Sequence, residues 1–376
     1  MGYFDQLPDL DNAVADKELN PLGYSPGDYP SLHDMLNSHQ FNSDQVTSID
    51  LVALSVNGIV KRDSMEEYHR SKHISSTALK EALKTPFHYK FYQEQRALEH
   101  KNGTQKPKKH FQLGTFVHEA FLEPEIFDKT IIAPDYPMNT TDGVINSIRW
   151  YEKVNKADNA NLDNMKMPAL KDYLQQLIAE CPYTTVDATT QFIIDCLSFG
   201  YKQYGGGIIA RILKGAVSEV SFYGVDEETG LKVRVRPDFF NIEENIGVNA
   251  IISVKTTSAQ TLNKFVYDAA KYQYELSEGM YLEVPTHITG RKFNVVMMIM
   301  LQTVPPYMLA VYWWRPDDLQ NGKYKYRHSL NTVKECTDKL SWPGYDSCAE
   351  AGNYGIIEMQ LPEWSQKELH PVDIDD

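Results

Sequence analysis

The sequence predicts an α/β fold, a mixed central sheet flanked by helices, and three observations predict it. Short apolar runs end to end between Glu219 and Val254 read as strands, with Val233 and Val235 alternating with Lys232, Arg234 and Arg236 at a period of two. Beyond Thr256-Thr257 the pattern becomes helical from about Ala259 to Leu282, and two apolar runs, Phe293 to Val304 and Met308 to Trp314, return to strand. Two of the predicted strands also close on chemically loaded triplets, Arg236-Pro237-Asp238 and Ser253-Val254-Lys255.

The elements follow in order. Residues 1 to about 60 are rich in Asp, Asn, Ser, Pro and Gly, with turn signals at Asn20-Pro21 and Ser25-Pro26-Gly27. They read as a loosely structured N-terminal arm, with a strand or short helix between Ile49 and Ile59; the alternative is an arm that wraps a neighbouring subunit. Residues 61–376 read as one domain. From Ser75 the spacing of Leu79, Leu83 and Phe87 predicts a helix, with Ser75-Ser76-Thr77 as N-cap candidates. A polar stretch from Glu99 to Lys109 precedes a second helix running from Leu113 towards Leu122. Asn139 to Leu213 is mostly helical in pattern, broken near Pro168, Pro182 and Gly205 to Gly207. The strand Glu219–Val225 turns through Asp226 to Gly230 into the strand Leu231–Phe239, a hairpin, and Ala250–Val254 makes a third strand. Pro316 to Leu340 reads as a helix.

Composition narrows the function classes. The chain has 376 residues, 42% hydrophobic and 23% charged, as in globular proteins. No apolar run is long enough to span a bilayer, and Met1 to Asp5 lack the blocks of a signal peptide, so a cytoplasmic location is expected. Cys181, Cys196, Cys336 and Cys348 form no Cys-x-x-Cys pair, which argues against structural zinc, an iron–sulfur cluster or a disulfide framework. A net charge of −14 speaks against a general DNA-coating protein, because phosphate binding needs clustered cations. It leaves room for a local basic groove, with Lys106, Lys108 and Lys109, or Lys232, Arg234 and Arg236, as candidates.

An acid at one strand end and a lysine at the next is the arrangement of a metal-dependent nuclease site. Phosphodiester hydrolysis needs a divalent cation to polarise the phosphate and activate water. Hard cations such as Mg²⁺ or Mn²⁺ take oxygen ligands, and an adjacent lysine can orient the water or stabilise the charge that develops. Asp238 and Lys255 fit those roles, and Glu219, on the strand hairpinned to that of Asp238, supplies a second oxygen. For each charge alone, a solvated strand end is the ordinary alternative. His118, in an apolar helical stretch after Gly114-Thr115, reads either as a core histidine or as a site residue.

On these residues the chain resembles the exonuclease domain of the exodeoxyribonuclease VIII family, within the PD-(D/E)-x-K, restriction-endonuclease-like superfamily. The matching stretches run from about Glu67 to Trp364. They comprise Tyr68-His69 with Ile74-Ser75, Thr85-Pro86, Leu113-Gly114-Thr115 with His118, and Leu122-Glu123-Pro124. They continue with Glu219, Gly230 to Asp238, Val254 to Thr257, Tyr281, Trp342-Pro343, and Leu361-Pro362 with Trp364. The resemblance implies an Mg²⁺-dependent exonuclease on double-stranded DNA ends, acting in recombination or phage DNA processing and feeding single strands to an annealing or recombination partner. It also implies a homo-oligomeric ring around DNA. By resemblance His118 is the site histidine, Glu219 and Asp238 are metal-binding acids, Val254 lends its carbonyl, Lys255 is the lysine and Tyr281 the helix tyrosine.

Two positions depart from the pattern. Ser253 stands where an acid is expected two residues before Lys255, and Ser277 where a glutamine is expected four residues before Tyr281. A neutral hydroxyl is a poor ligand for Mg²⁺. Either the carboxylate has migrated, as in restriction endonucleases that carry Ser-Val-Lys and draw a glutamate from the next helix, or the protein is a catalytically inactive nuclease-like DNA-binding or assembly protein. Glu278 and Glu275 are the candidate replacements. Glu278 is favoured because it shares a helix face with Tyr281.

Overall fold

The computed structural model of the chain describes residues 28–102, 109–122, 130–157 and 161–361, apart from the side chains of residues 100–102, 109–112, 115, 118, 119 and 163. The first helices are α1 (Leu32–Asn37) and α2 (His39–Asn42), each started by a serine whose hydroxyl accepts a helix N–H. Of the arm expected over residues 1–60, the described part is docked. Met35 and Phe41 are buried in the domain core, and the Thr47 amide donates to Asn245 Oδ1 at 2.7 Å.

Strand β1 (Gly58–Arg62) leads to α3 (Met65–Arg70), started by a reciprocal Ser64–Glu67 cap. Then come α4 (Ser76–Ala82), α5 (Pro86–Asn102) and α6 (Lys109–Leu122). Between the short parallel strands β2 (Thr130–Ile132) and β3 (Thr184–Val186) lie α7 (Thr141–Asn155) and α8 (Met167–Ala179), which share a small core of their own around Ile148 and Leu170. Helices α9 (Ala188–Gln203) and α10 (Ile208–Ile212) complete this half.

The second half supplies the sheets. The strand predicted from Glu219 is two strands, β4 (Val217–Ser218) and β5 (Val220–Val225), with Glu219 between them at φ 54°. The strand predicted over Leu231–Phe239 likewise divides into β6 (Lys232–Val235) and β7 (Phe239–Asn241). Pro237 lies at that break and has no N–H to give a ladder. The same two stretches of chain therefore serve two sheets. β5 and β6 pair with β1 in one, ordered β1-β5-β6, while β4 and β7 enter the other, ordered β10-β9-β8-β7-β4.

The remaining elements are α11 (Glu243–Ile246), β8 (Ala250–Thr257), α12 (Leu262–Lys271), α13 (Tyr274–Thr289), β9 (Val295–Gln302), β10 (Leu309–Trp313) and α14 (Pro316–Lys339). The single predicted helix after β8 is broken at Gln273, which has φ 52°. β8 and β9 are parallel and their other neighbours antiparallel, so the sheet is mixed, as expected. Among the described residues no helix is long and apolar enough to cross a membrane.

Strand β8 is covered on both faces. Ile251 packs with Leu79, Leu276, Met280 and Leu330 from α4, α13 and α14, whereas Ile252 and Val254 pack with Val117, Ile194 and Ile209 from α6, α9 and α10. Ser253 and Lys255, in step with Ile251, thus face the α13 layer. Helices α13 and α14 meet backbone to backbone: a Cβ on Gly322 would lie 1.9 Å from the Glu275 carbonyl oxygen. That approach fixes how close α14 sits to α13.

Candidate active site

The strand break at Pro237 releases Asp238 immediately before β7, opposite the end of β8. Register places Phe239 across from Ile252, so Asp238 reaches the next backbone group on β8. Its Oδ2 accepts the Val254 N–H at 2.5 Å and the Lys255 ammonium at 3.3 Å. Lys255 Nζ also donates to the Val254 carbonyl at 3.3 Å. Asp238 and Lys255 keep 14% and 26% of their side chains exposed, so this pair borders solvent.

Behind it lies a buried pair. Ser253 and Glu278 are both 0% exposed, and Ser253 Oγ lies 2.8 and 2.9 Å from the two oxygens of the Glu278 carboxylate. Burial pushes the Glu278 carboxyl up to about 7, against the pull of Lys255 and the Ser253 hydroxyl. Burial pulls the Lys255 ammonium down, but Asp238 and Glu278 together outweigh it and leave its pKa above the ordinary lysine value. Two strand ends and one helix thus bring an aspartate, a glutamate and a lysine into electrostatic contact.

The chain belongs to the family of PDDEXK-like domains of unknown function (DUF3799). The family's model matches residues 75–354, which takes in α4, both sheets' shared strands and the Asp238–Lys255 pair. No curated protein matches the chain. A crystal structure titled "Putative exonuclease", from Eubacterium rectale, superposes with a TM-score of 0.41 at 12% identity, covering 83% of this chain and 100% of that one. A superposition that loose leaves the assignment resting on the family match. PDDEXK nucleases generally depend on a divalent metal, and the donors here suit one. Carboxylate and carbonyl oxygens are hard ligands, and Glu278 is a buried carboxylate that ionises readily only once more positive charge is brought beside it.

The other expected site residues fall differently within this PDDEXK-like fold. The Glu219 amide donates to the Asp238 carbonyl at 3.1 Å, so the two backbones are neighbours. The Glu219 carboxylate, however, accepts Arg236 Nε at 2.6 Å, and Arg236 also pairs with Asp63 at 3.3 Å. Among the described residues no three His, Cys, Asp or Glu side chains gather closely enough to hold a metal by themselves. Glu275 is held by Lys325 at 2.5 Å, on the α14 side. Tyr281 is hydrogen-bonded to Ser76 of α4, and burial drives its hydroxyl pKa well up, with Tyr68, Asp238 and Glu278 adding to the effect. His118 belongs to α6, which lies so close to β8 that a Cβ on Gly114 would come 3.0 Å from Thr256 Oγ1; its side chain is outside the described residues.

One expected basic patch is corrected. Arg234 is 4% exposed, and its Nη1 donates to the carbonyls of Tyr68 and Ser71. Arg236 is buried between Glu219 and Asp63. Around Arg234 and Arg236 that face is covered by α3 and the turn after it and forms no open basic surface, while Lys232 is exposed. Of the other patch, Lys106 and Lys108 lie outside the described residues, as does the Lys109 side chain.

Sequence reasoning missed Lys80. It projects from α4 over the Tyr274 ring, 5.4 Å from its centroid, and Lys255 lies 6.0 Å from the same centroid. Burial, reinforced by Lys255, lowers the Lys80 ammonium to about 8. The available signal was its i,i+4 spacing from Ser76, but nothing in the sequence says which face of α4 meets α13.

Proposed function

We propose that this protein is a metal-dependent deoxyribonuclease, an exonuclease acting on double-stranded DNA ends with Mg²⁺ or Mn²⁺. The observation that carries the reading is the Ser253–Glu278 contact. It sets a carboxylate within one hydrogen bond of the position whose acid is missing, on the side of β8 that also bears Lys255. Glu278, Asp238 and the Val254 carbonyl would hold the ion, with Glu219 as a further donor if Arg236 releases it. A divalent ion there supplies a polarised phosphate and a more acidic water. Lys255 would hold the attacking water beside Asp238 and offset negative charge as it develops on the phosphate. Tyr281, fixed by Ser76, and His118, on α6, orient the phosphate.

The test is digestion of linear duplex DNA in Mg²⁺ or Mn²⁺ by the native chain and by Asp238→Ala and Glu278→Ala. Cleavage that needs metal and is lost in both variants is expected. No metal-dependent digestion by the native chain removes the enzyme reading; full activity in Glu278→Ala removes the migrated carboxylate alone. A role in recombination or phage DNA processing, with a ring of subunits passing single strands to an annealing partner, extends the same reading and is checked by solution mass and by strand transfer.

A second reading has one specific observation in its favour. The Glu219–Arg236 ion pair, at 2.6 Å, occupies a carboxylate that the resemblance gives to the metal. On that reading the protein is a catalytically inactive nuclease-like module that binds DNA or an assembly partner, and it shifts duplex mobility equally with and without metal.

A further inference from the structure

Across α4 from the Asp238 site, a cavity of about 250 Å³ lies between the end of α3, the turn after it, α4, α5 and β6. Its wall carries His69, Arg70, Lys72, His73, Arg96 and Arg234, and among the described residues lining it none has a carboxylate. Arg70 does pair with Glu66 at 2.6 Å, but both are exposed. Four lysine and arginine side chains around one cleft, on a chain of net charge −14, repel one another unless something negative sits among them.

Arg234 gives the second observation. Its guanidinium lies over the Tyr68 ring, 4.5 Å from the centroid, and Nη1 is satisfied by the two carbonyls that end α3. Its Nε is buried and has no hydrogen-bond partner. Buried polar groups are nearly always paired, and an N–H of a charged group left without an acceptor is costly. Burial lowers the Arg234 pKa and Arg96 acts in the same direction, so an anion in the cavity would relieve both.

We infer that this cavity is a phosphate-binding site that takes a phosphate dianion. Cationic side chains line it from three sides: Arg234 on β6, Arg96 on α5, and Arg70 with Lys72 at the end of α3 and the turn after it. That arrangement suits a tetrahedral oxyanion with several acceptor oxygens better than a planar carboxylate. Helix α4 joins the two sites, since Ser75 and Ala78 line the cavity while Ser76 and Lys80 face Tyr281 and Tyr274. The owner of the phosphate rests on the nuclease reading: a DNA strand end, if that reading holds, and inorganic phosphate otherwise. The site itself does not depend on it.

The test uses the full chain in chelator, so that cleavage plays no part. Titration with inorganic phosphate at constant ionic strength, followed by calorimetry, is expected to saturate. Affinity is expected to fall about tenfold or more in Arg96→Ala and in Lys72→Ala, each loss being that of one charge-assisted contact. Both residues lie nearer the surface than Arg234, whose Arg234→Met variant is read only where its circular dichroism is native. Duplexes of one length carrying a 5′-phosphate, a 3′-phosphate or neither then compete with inorganic phosphate. Preference for one phosphorylated end, lost in Arg96→Ala, assigns the site to the DNA end. No competition by any of the three, with phosphate binding still sensitive to Arg96→Ala, assigns it to free phosphate, and equal competition by all three assigns it to the duplex backbone. No saturable phosphate binding, or binding unchanged in both surface variants, overturns the inference.

Discussion

Replacing Glu278 by glutamine should make the metal-free protein more stable, and only at high pH. Glu278 is fully buried beside a neutral hydroxyl, and burial lifts its carboxyl from an ordinary 4.5 to about 7. A carboxyl whose native pKa is raised binds its proton more tightly in the folded chain than in the unfolded one. The stability it contributes is therefore complete below about 4.5 and is lost as pH rises through about 7. With about 1.4 kcal/mol for each tenfold displacement of the proton equilibrium, the ionised group costs the native state about 3 kcal/mol at pH 8.5. Glutamine keeps the shape and an acceptor for Ser253 without the charge. Urea unfolding in chelator should then show Glu278→Gln more stable than the native chain by about 3 kcal/mol at pH 8.5 and nearly equal to it at pH 4.5. Saturating Mn²⁺ should reverse the order at pH 8.5, because the ion binds the ionised native side chain and not the amide. Equal gaps between the two proteins at both pH values would refute the reasoning, since the carboxylate would then titrate alike folded and unfolded.

Four other outcomes follow from the same geometry. Exchanging the pair, Ser253→Asp with Glu278→Ser, should retain metal-dependent digestion, while Ser253→Asp alone should lower stability in chelator by about 3 kcal/mol by burying a second carboxylate against the first; unfolding curves and gel digestion read the two. Lys255→Met should leave metal binding measurable by calorimetry and slow cleavage by about a hundredfold or more, as loss of an oriented charge does. Gly322→Ala should cost about 3 kcal/mol, seen in urea midpoints, because its Cβ would strike the Glu275 carbonyl. Arg236→Met should destabilise by about 3 kcal/mol in thermal melts, because it removes the buried counter-charge that the Glu219 and Asp63 carboxylates share.

Much of the fold was written in short-range pattern. The strands around Val233 and Ile251, the turn at Asp226 to Gly230, and the helix Pro316–Lys339 all lie where period and turn residues put them. The pattern did not reveal that Glu219 and Pro237 cut two predicted strands into four. A left-handed residue and a missing N–H look locally like small irregularities, and only pairing with distant partners turns them into a change of sheet. The docking of residues 28–60 was hidden for a related reason. Met35 and Phe41 are isolated apolar residues in a polar stretch, and their burial is decided by the surface across the fold that receives them. The open basic face expected from Lys232, Arg234 and Arg236 failed because charge spacing carries no information on cover: alternation located the Arg234 face, but not the helix end that lies over it.

The candidate site shows the same division between what pattern carries and what packing decides. The two triplets put Asp238 and Lys255 on neighbouring strand ends, and the antiparallel pairing of the strands beside them brings the two side chains to 3.3 Å. Which glutamate would face Ser253 does not follow from helix periodicity alone. Glu275 and Glu278 lie three residues apart and could share a face. The choice is made by α14: Gly322 lets it press against the Glu275 turn, and Lys325 draws the Glu275 carboxylate to that side. Glu278, nearly one turn on, is left against β8. Helix α14 therefore contributes to the site without touching it, and a change on α14 that releases Lys325 should free Glu275 to compete for the same cation. In Lys325→Met, a second carboxylate reaching Ser253 would show as tighter Mn²⁺ binding by calorimetry; unchanged affinity would mean that the backbone contact at Gly322, and not the Lys325 ion pair, sets the choice.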